Sequence, residues 1–441
     1  MGGYLFQAFV YLLAAVIAVP IAKRLGLGSV LGYLIAGIII GPVIGLVGSE
    51  TQEIQHFAEF GVVMMLFLVG LELDPQALWR MRNRLLGLGG LQVGVTTALI
   101  FAAAVAMALY WSVALAVGLI FALSTTANVL QTLNEKGLTK TEGGQASFSV
   151  LLFQDIAVIP MLALIPLLAL PELADTAASG VEAGGHHSYG GWVSHLPGWA
   201  YALVVLGFIA AVVLGGHFLS RPLFRFIAAS RLREIFTAAA LLLVIGIALL
   251  MTLVGLSPAL GTFLAGVVLA NSEFRHELES DIEPFKGLLL GLFFITVGAG
   301  IDFGLLFGSF LAILGLTLGV IAVKALVLYG LALLFKLSGS DRWLFTLGLA
   351  QAGEFGFVLL SFSVQNSVLP FELAQTLSLV FALSMLFTPA LFIFYERVLV
   401  PRMAESDGGE ADEIDVKGAV IFAGIGRFGE IVNRILVAIG H

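Results

Sequence analysis

Long apolar segments alternate with short polar ones along almost the whole chain. About thirteen of these segments contain roughly 15–30 residues each, close to the length that an α-helix needs to cross a bilayer. The pattern therefore predicts an all-α polytopic membrane protein with about thirteen transmembrane helices. The predicted spans are approximately 4–22, 29–47, 57–73, 84–109, 111–133, 145–170, 199–219, 234–254, 257–272, 285–301, 305–335, 342–366 and 371–399.

Composition and charge support this fold class and orient it. The chain is 59% apolar and 11% charged, whereas soluble domains average about 45–50% and 25%. Lys and Arg lie almost entirely on one side of the predicted spans, and the opposite segments 48–56, 171–198 and 367–370 contain none. The positive-inside rule therefore predicts an external N-terminus and a cytoplasmic C-terminus. The absence of cysteine excludes disulfides and thiolate metal sites.

Two blocks of sequence occur twice, at offsets of 229 and 228 residues. The two copies of each block lie an odd number of predicted spans apart, so they cross the membrane in opposite directions. Inverted repeats of this kind are typical of secondary transporters, whose site lies at mid-membrane between the halves; chance similarity of Gly- and Leu-rich helices is the alternative. The first block pairs Gly26–Pro42 with Gly255–Asn271, and the second pairs Phe57–Asp74 with Phe285–Asp302. The repeat therefore predicts a transmembrane domain over 1–400. This domain consists of six-helix repeats at about 4–170 and 234–399, joined by a helix at about 199–219.

The sixth predicted span carries Gln154 and Asp155 near its middle. A charged side chain at that depth costs roughly 2.5–3.5 kcal/mol on insertion scales, and such residues usually mark ion or proton pathways. Only one repeat has the acid, because the aligned residues in the other are Leu383 and Ser384. A single carboxylate that binds a proton or a monovalent cation in turn predicts one-for-one exchange. The alternative is a structural acid that a neighbouring helix satisfies.

Polar islands in two other spans predict broken helices. The fifth span contains Ser124, Thr125, Thr126 and Asn128, and the repeat aligns them with the segment 351–357, which includes Glu354. Broken helices in transporters present freed backbone groups to ions. Alternatively, the hydroxyls bond to the carbonyls of their own helices.

One basic residue, Lys324, lies about eleven residues inside its span, roughly 16 Å from the cytoplasmic end. At that depth it needs a carboxylate partner. Asp155 has the matching depth, and Glu354 is the second candidate. We expect the cation or proton to compete with Lys324 for the carboxylate; a permanent structural ion pair is the alternative.

The cytoplasmic segments carry two further features. The predicted loop 272–284 is dense in acids and would ordinarily be a solvated turn. An acidic linker at 401–416 precedes a strand, a GxGxxG sequence and a helix at 417–441, which predict the first βα unit of a truncated Rossmann-like nucleotide-binding domain. The residues concerned are His276, Glu277, Glu279 and Asp281 in the loop, and Gly424, Gly426, Arg427, Phe428 and Gly429 in the glycine-rich segment.

Several of these stretches resemble the bacterial Kef family of glutathione-regulated potassium efflux systems, within the monovalent cation–proton antiporter superfamily. They include GLGSVLGYLIAGIIIGP, FSVLLFQDIAVIP, the HELESD loop at 276–281 and AGIGRFG. The resemblance implies a potassium–proton antiporter of the bacterial inner membrane, not an enzyme. It implies a homodimer surrounded by membrane lipid, whose mobile core contains crossed broken helices. It also implies NAD or AMP and glutathione adducts as regulators, a quinone-reductase-like ancillary subunit, and no nucleic acid partner.

The resemblance also assigns roles to residues. Asp155 would bind K⁺ and H⁺ in turn with Gln154 beside it, Ser124 to Thr126 would lie next to the ion, and Asn128 departs from the usual family residue. The acidic loop 276–281 would contact the regulatory domain. A ligand-gated potassium channel and a sodium–proton exchanger remain as alternatives.

Overall fold

The computed structural model describes fourteen stretches of the chain, and within them the secondary structure is helical, with no strand. The predicted all-α fold is therefore confirmed for this part, whereas the segment 417–441 and most of the spans 57–73 and 199–219 lie outside it. The described residues are 2–25, 27–47, 60–61, 63–68, 70–71, 85–170, 207, 214–215, 218, 224–227, 233–253, 258–270, 272–337 and 339–402.

Seven helices in the described part are long and apolar enough to cross a membrane. Shorter apolar helices accompany them, and two of these, Trp111–Ala122 and Phe355–Gln365, belong to predicted spans that are interrupted near their middle. The α-helices are α1 Gly2–Arg24, α2 Gly28–Ile38, α3 Leu91–Ala106, α4 Trp111–Ala122, α5 Thr126–Glu135, α6 Glu142–Leu164, α7 Arg233–Leu253, α8 Pro258–Leu269, α9 Arg275–Ala299, α10 Phe303–Gly308, α11 Phe310–Leu334, α12 Gly339–Gly348, α13 Phe355–Gln365, α14 Phe371–Leu386 and α15 Thr388–Phe394.

Short irregular turns extend several of these helices. The π-helical turns Ile39–Val43 and Leu85–Gly90 adjoin α2 and α3, and Tyr395–Leu399 follows α15. A 3₁₀ turn, Ile165–Leu168, follows α6. In the first of these turns Pro42 removes a backbone donor, and such a turn re-satisfies the remaining groups.

The predicted repeat is visible in how the backbones pack. At four glycines a Cβ atom would overlap a carbonyl of another helix, so only glycine permits these approaches. Adding 229 to the residue numbers of α2 and subtracting 228 from those of α9 turns the contact between these helices into a second observed contact. This second contact joins α8 to the segment 60–71. An approximate twofold axis relating the halves requires this exchange. The overlapped carbonyls are those of Ile295 for Gly37, Leu34 for Gly298, Phe67 for Gly266 and Phe263 for Gly70.

The predicted loop 272–284 is wrong in part, because α9 begins at Arg275 and continues through Pro284 to Ala299. Its apolar positions recur at helical spacing, with Leu278 and Ile282 fully buried. This amphipathic pattern extends the helix beyond the apolar segment from which the span was predicted.

Candidate ion site at the crossing of two broken helices

Two helix breaks meet at the centre of the candidate site. The chain leaves α4 at Ala122, is extended at Leu123 and Thr125, and enters α5 at Thr126. The second break separates α12, which ends at Gly348, from α13, which begins at Phe355. Both predicted breaks are thus present.

The two breaks touch through their backbones. A Cβ atom on Gly353 would lie 2.5 Å from the carbonyl carbon of Ser124. These two residues differ by the repeat offset of 229. Two residues that are related by a twofold axis can contact each other only if both lie next to that axis. The crossing of the two breaks therefore lies where the two halves meet.

Hydroxyl groups of the first break bind carbonyl oxygens of the second. Ser124 Oγ donates to Leu349 O at 2.8 Å, and Thr125 Oγ1 donates to Ala352 O at 3.0 Å. Both hydroxyl residues are buried. These side chains therefore bond across the crossing rather than to their own helix, which satisfies backbone groups that a break would leave without partners.

Lys324 of α11 lies at the same crossing and is fully buried. Its Nζ donates to Leu123 O at 2.5 Å, to Gln351 O at 2.8 Å and to Ser124 Oγ at 3.0 Å. The ammonium group has three N–H donors, and all three are used on uncharged oxygens. The ion pair expected with Asp155 or Glu354 is not formed in this structure, and it stays a prediction.

The predicted Gln154–Asp155 pair divides between two environments. Gln154 is 1% exposed, and its Oε1 accepts a hydrogen bond from Ser124 N at 2.8 Å. Asp155 is partly exposed, and its Oδ1 accepts from Thr126 Oγ1 at 3.0 Å. The Gln154 amide thus forms a hydrogen bond to the backbone of the first break, whereas the Asp155 carboxylate forms one to the side chain of Thr126, the first residue of α5. The Asn128 side chain lies outside the described residues.

The charges match the partial charges of the half-helices. A helix carries partial positive charge at its N-terminus and partial negative charge at its C-terminus. Lys324 binds oxygens just beyond the C-terminal ends of α4 and α12. Asp155 lies at the N-terminal end of α5, and Glu354, which is 6% exposed, directly precedes α13. Each freed helix end therefore has an ionisable side chain of complementary sign nearby.

The structure also contains site residues that the sequence interpretation missed. Gln92 of α3 is fully buried; its Oε1 accepts from Gln154 Nε2 at 2.7 Å. Ser384 of α14, which aligns with Asp155, accepts from Ala352 N at 3.3 Å through its Oγ. A lone amide in the apolar span 84–109 was a signal for Gln92. Within the described residues no group of three His, Asp or Glu side chains could hold a metal ion.

The acidic residues of the predicted regulatory loop lie on different sides of α9. His276 and Glu277 are exposed and Glu279 is intermediate, whereas Asp281 is buried and accepts a hydrogen bond from Thr237 Oγ1 at 2.8 Å. Asp281 therefore holds α9 against α7 and does not belong to the exposed acidic face. The predicted nucleotide-binding residues Gly424, Gly426, Arg427, Phe428 and Gly429 lie outside the described residues.

A surface ion pair precedes this acidic face. Arg225 Nε donates to Glu273 Oε1 at 2.8 Å. This hydrogen bond raises the pKa of the Arg225 guanidinium above its ordinary value. Since the residue is exposed, the pair holds the helical turn 224–227 beside the start of α9 without adding much stability.

Comparison with known proteins places this geometry in context. Residues 11–393 match the family described as sodium/hydrogen exchanger, transmembrane. The chain is 48% identical, over 437 residues, to the glutathione-regulated potassium-efflux system protein KefC of Cronobacter sakazakii and to the KefC protein of Salmonella typhimurium. Each alignment covers 99% of this chain and 67% of the relative.

Solved structures show the same fold. The sodium proton antiporter MjNhaP1 from Methanocaldococcus jannaschii at pH 8 superposes with a TM-score of 0.58 at 17% identity. The superposition covers 91% of this chain and 99% of that one. A second structure of MjNhaP1 gives a TM-score of 0.60 at 16% identity.

Proposed function

The chain belongs to the transmembrane sodium/hydrogen exchanger family, and from this premise we propose that it is a potassium–proton antiporter that mediates regulated K⁺ efflux by alternating access. The observation that carries the proposal is the position of Asp155. This partly exposed carboxylate accepts a hydrogen bond from Thr126, the first residue of the half-helix that follows the first break, at the place where the two breaks cross. Potassium is proposed as the cargo because the relatives at 48% identity are named potassium-efflux systems.

The carboxylate and its neighbour supply the binding chemistry. Thr126 Oγ1 donates its proton to Asp155 Oδ1, so the oxygen lone pairs of Thr126 remain available to a cation. An ionised Asp155 binds a monovalent cation through its oxygens, and a protonated Asp155 is neutral and binds none. Occupancy by one excludes the other, which couples the two fluxes.

Lys324 places its terminal amino group at the same crossing, bonded to oxygens of both breaks. Because its hydrogen bonds go to the two breaks, it ties them into one body that moves with Asp155. When the cation leaves, the ammonium group offers Asp155 a compensating charge, which is the competition expected from the sequence. Alternating access then requires only that this body change its position relative to the remaining helices.

We further propose the setting in which this exchange works. The protein lies in the bacterial inner membrane with its N-terminus outside, as the distribution of Lys and Arg indicates, and forms a homodimer. Glutathione adducts and a nucleotide, NAD or AMP, regulate it through a cytoplasmic domain that begins near residue 417. A quinone-reductase-like subunit and the exposed face of α9 take part in that regulation.

Exchange in proteoliposomes tests the proposal. An outward K⁺ gradient drives protons inward through the wild-type protein, detected with an internal pH dye, and Asp155→Asn abolishes this coupling because an amide cannot exchange a proton. Asp302→Asn is the matched control: Asp302 is exposed and accepts from Leu305 N at 3.1 Å at the start of α10. Normal coupled transport by Asp155→Asn would refute the assignment.

The same assay separates the two alternatives. A ligand-gated potassium channel conducts K⁺ without an opposing proton flux. A sodium–proton exchanger couples to Na⁺ but not to K⁺, so substituting the driving cation identifies it.

A further inference from the structure

Two buried amides join the site to a helix that carries no charge. Gln92 of α3 and Gln154 of α6 are 0% and 1% exposed. Gln154 Nε2 donates to Gln92 Oε1 at 2.7 Å, and Gln92 Nε2 donates to Ala122 O at 3.0 Å. Since Gln154 Oε1 accepts from Ser124 N at 2.8 Å, the two amides form a ladder that starts and ends on the first helix break.

The direction of this ladder is fixed by the backbone. Ala122 O can only accept and Ser124 N can only donate, so the Nε2 of Gln92 must face the carbonyl and the Oε1 of Gln154 must face the N–H. If either amide group were flipped, a donor would face a donor or an acceptor would face an acceptor. A buried polar group would then lack a hydrogen bond, which costs its full desolvation free energy inside the protein. Gln154 Nε2 also donates to Ala122 O at 3.3 Å and to Ser124 Oγ at 3.4 Å. Its bond to Gln92 Oε1, at 2.7 Å, is the shortest of the three, so Gln92 supplies the strongest acceptor that orients this amide group.

We infer that Gln92 is a positioning residue for cation binding: it fixes Gln154 against the break and thereby sets the direction in which Asp155 faces. Consecutive residues on a helix differ by about 100°, so holding Gln154 on the break also holds Asp155 toward Thr126. Gln92 itself acts through Gln154. This inference rests on the proposed exchange at Asp155.

A double-mutant cycle in proteoliposomes tests this role. Gln92→Met keeps the side-chain length but removes the amide, and Gln154→Met removes its partner. We expect each single change to raise the K⁺ concentration for half-maximal exchange roughly tenfold, as the loss of one buried hydrogen bond allows, with a smaller change in maximal rate. The double variant shows no further rise, because both changes break the same ladder.

Two results would overturn the inference. The first is a double variant whose half-maximal K⁺ concentration rises about a hundredfold, which would mean that the two changes act independently. The second is a Gln92→Met variant whose half-maximal K⁺ concentration equals that of the wild type. If Gln92→Met does not fold, Gln92→Asn replaces it, since its amide is one methylene too short to reach Gln154.

Thr96→Val is the matched control. Gln92 Nε2 also donates to Thr96 Oγ1, at 3.2 Å, and valine removes that bond while the ladder stays. We expect lower thermal stability with an unchanged half-maximal K⁺ concentration; a shift as large as that of Gln92→Met would show general packing damage and overturn the positioning role. Asp155→Asn, measured in the same assay, distinguishes failure of the two proposals. Exchange that persists in Asp155→Asn refutes the antiport site. Additive effects of Gln92→Met and Gln154→Met refute only the role of Gln92.

Discussion

Replacing Gly353 with alanine tests whether the two helix breaks touch as described. The added Cβ would lie 2.5 Å from the carbonyl carbon of Ser124 and 3.0 Å from Thr125 N. Carbon atoms in contact normally lie about 3.5–4.0 Å apart, so the two segments must separate by roughly 1 Å. Both sides of the contact are backbone, which cannot rotate away as a side chain does.

The cost follows from this separation. Overpacking a tightly packed site costs about 1–3 kcal/mol, and the breaks also share the bond from Thr125 Oγ1 to Ala352 O, whose net contribution is about 0.5–1.5 kcal/mol. We expect Gly353→Ala to lower the free energy of unfolding by about 3 kcal/mol. Exchange should fall as well, because Lys324 binds both breaks and its three bonds cannot all survive the separation.

Thermal unfolding in detergent and exchange in proteoliposomes measure the two effects. Gly94→Ala in α3 is the control, since no other group lies within 4 Å of its added Cβ, and alanine favours a helix over glycine by up to about 1 kcal/mol. Wild-type stability together with wild-type exchange in Gly353→Ala would refute the backbone contact.

Two further predictions concern the crossing and the repeat. Lys324→Met leaves Gln351 O without its donor and removes the positive charge, so we expect exchange activity to shift along the pH axis; an unchanged pH profile would contradict a role for the charge at the site. Gly266→Ala should lower thermal stability, because its Cβ would overlap Phe67 O, whereas Gly246→Ala, with nothing within 4 Å of its Cβ, should not; equal stabilities would refute the close approach.

Much of the fold could be predicted from the chain alone. Apolar segments of bilayer length have few stable alternatives to helices, since lipid satisfies no backbone group. The constant offsets revealed the repeat, and a polar island such as Ser124–Thr126 in an apolar span indicated a break. The acid Asp155 was identifiable because a charge at that depth is costly.

The partners of the buried polar groups were decided only by the tertiary structure. Lys324 was expected to bind a carboxylate, yet it binds the oxygens of Leu123 and Gln351, which become hydrogen-bond acceptors only once two helices break and cross. The role of Gln92 depends on a residue 62 positions away. The sequence identifies the buried polar side chains that need hydrogen-bond partners. It does not identify those partners, because any broken helix leaves several backbone oxygens without an intrahelical donor and these oxygens have no sequence signal. Tertiary packing decides which of these oxygens a buried lysine or glutamine binds.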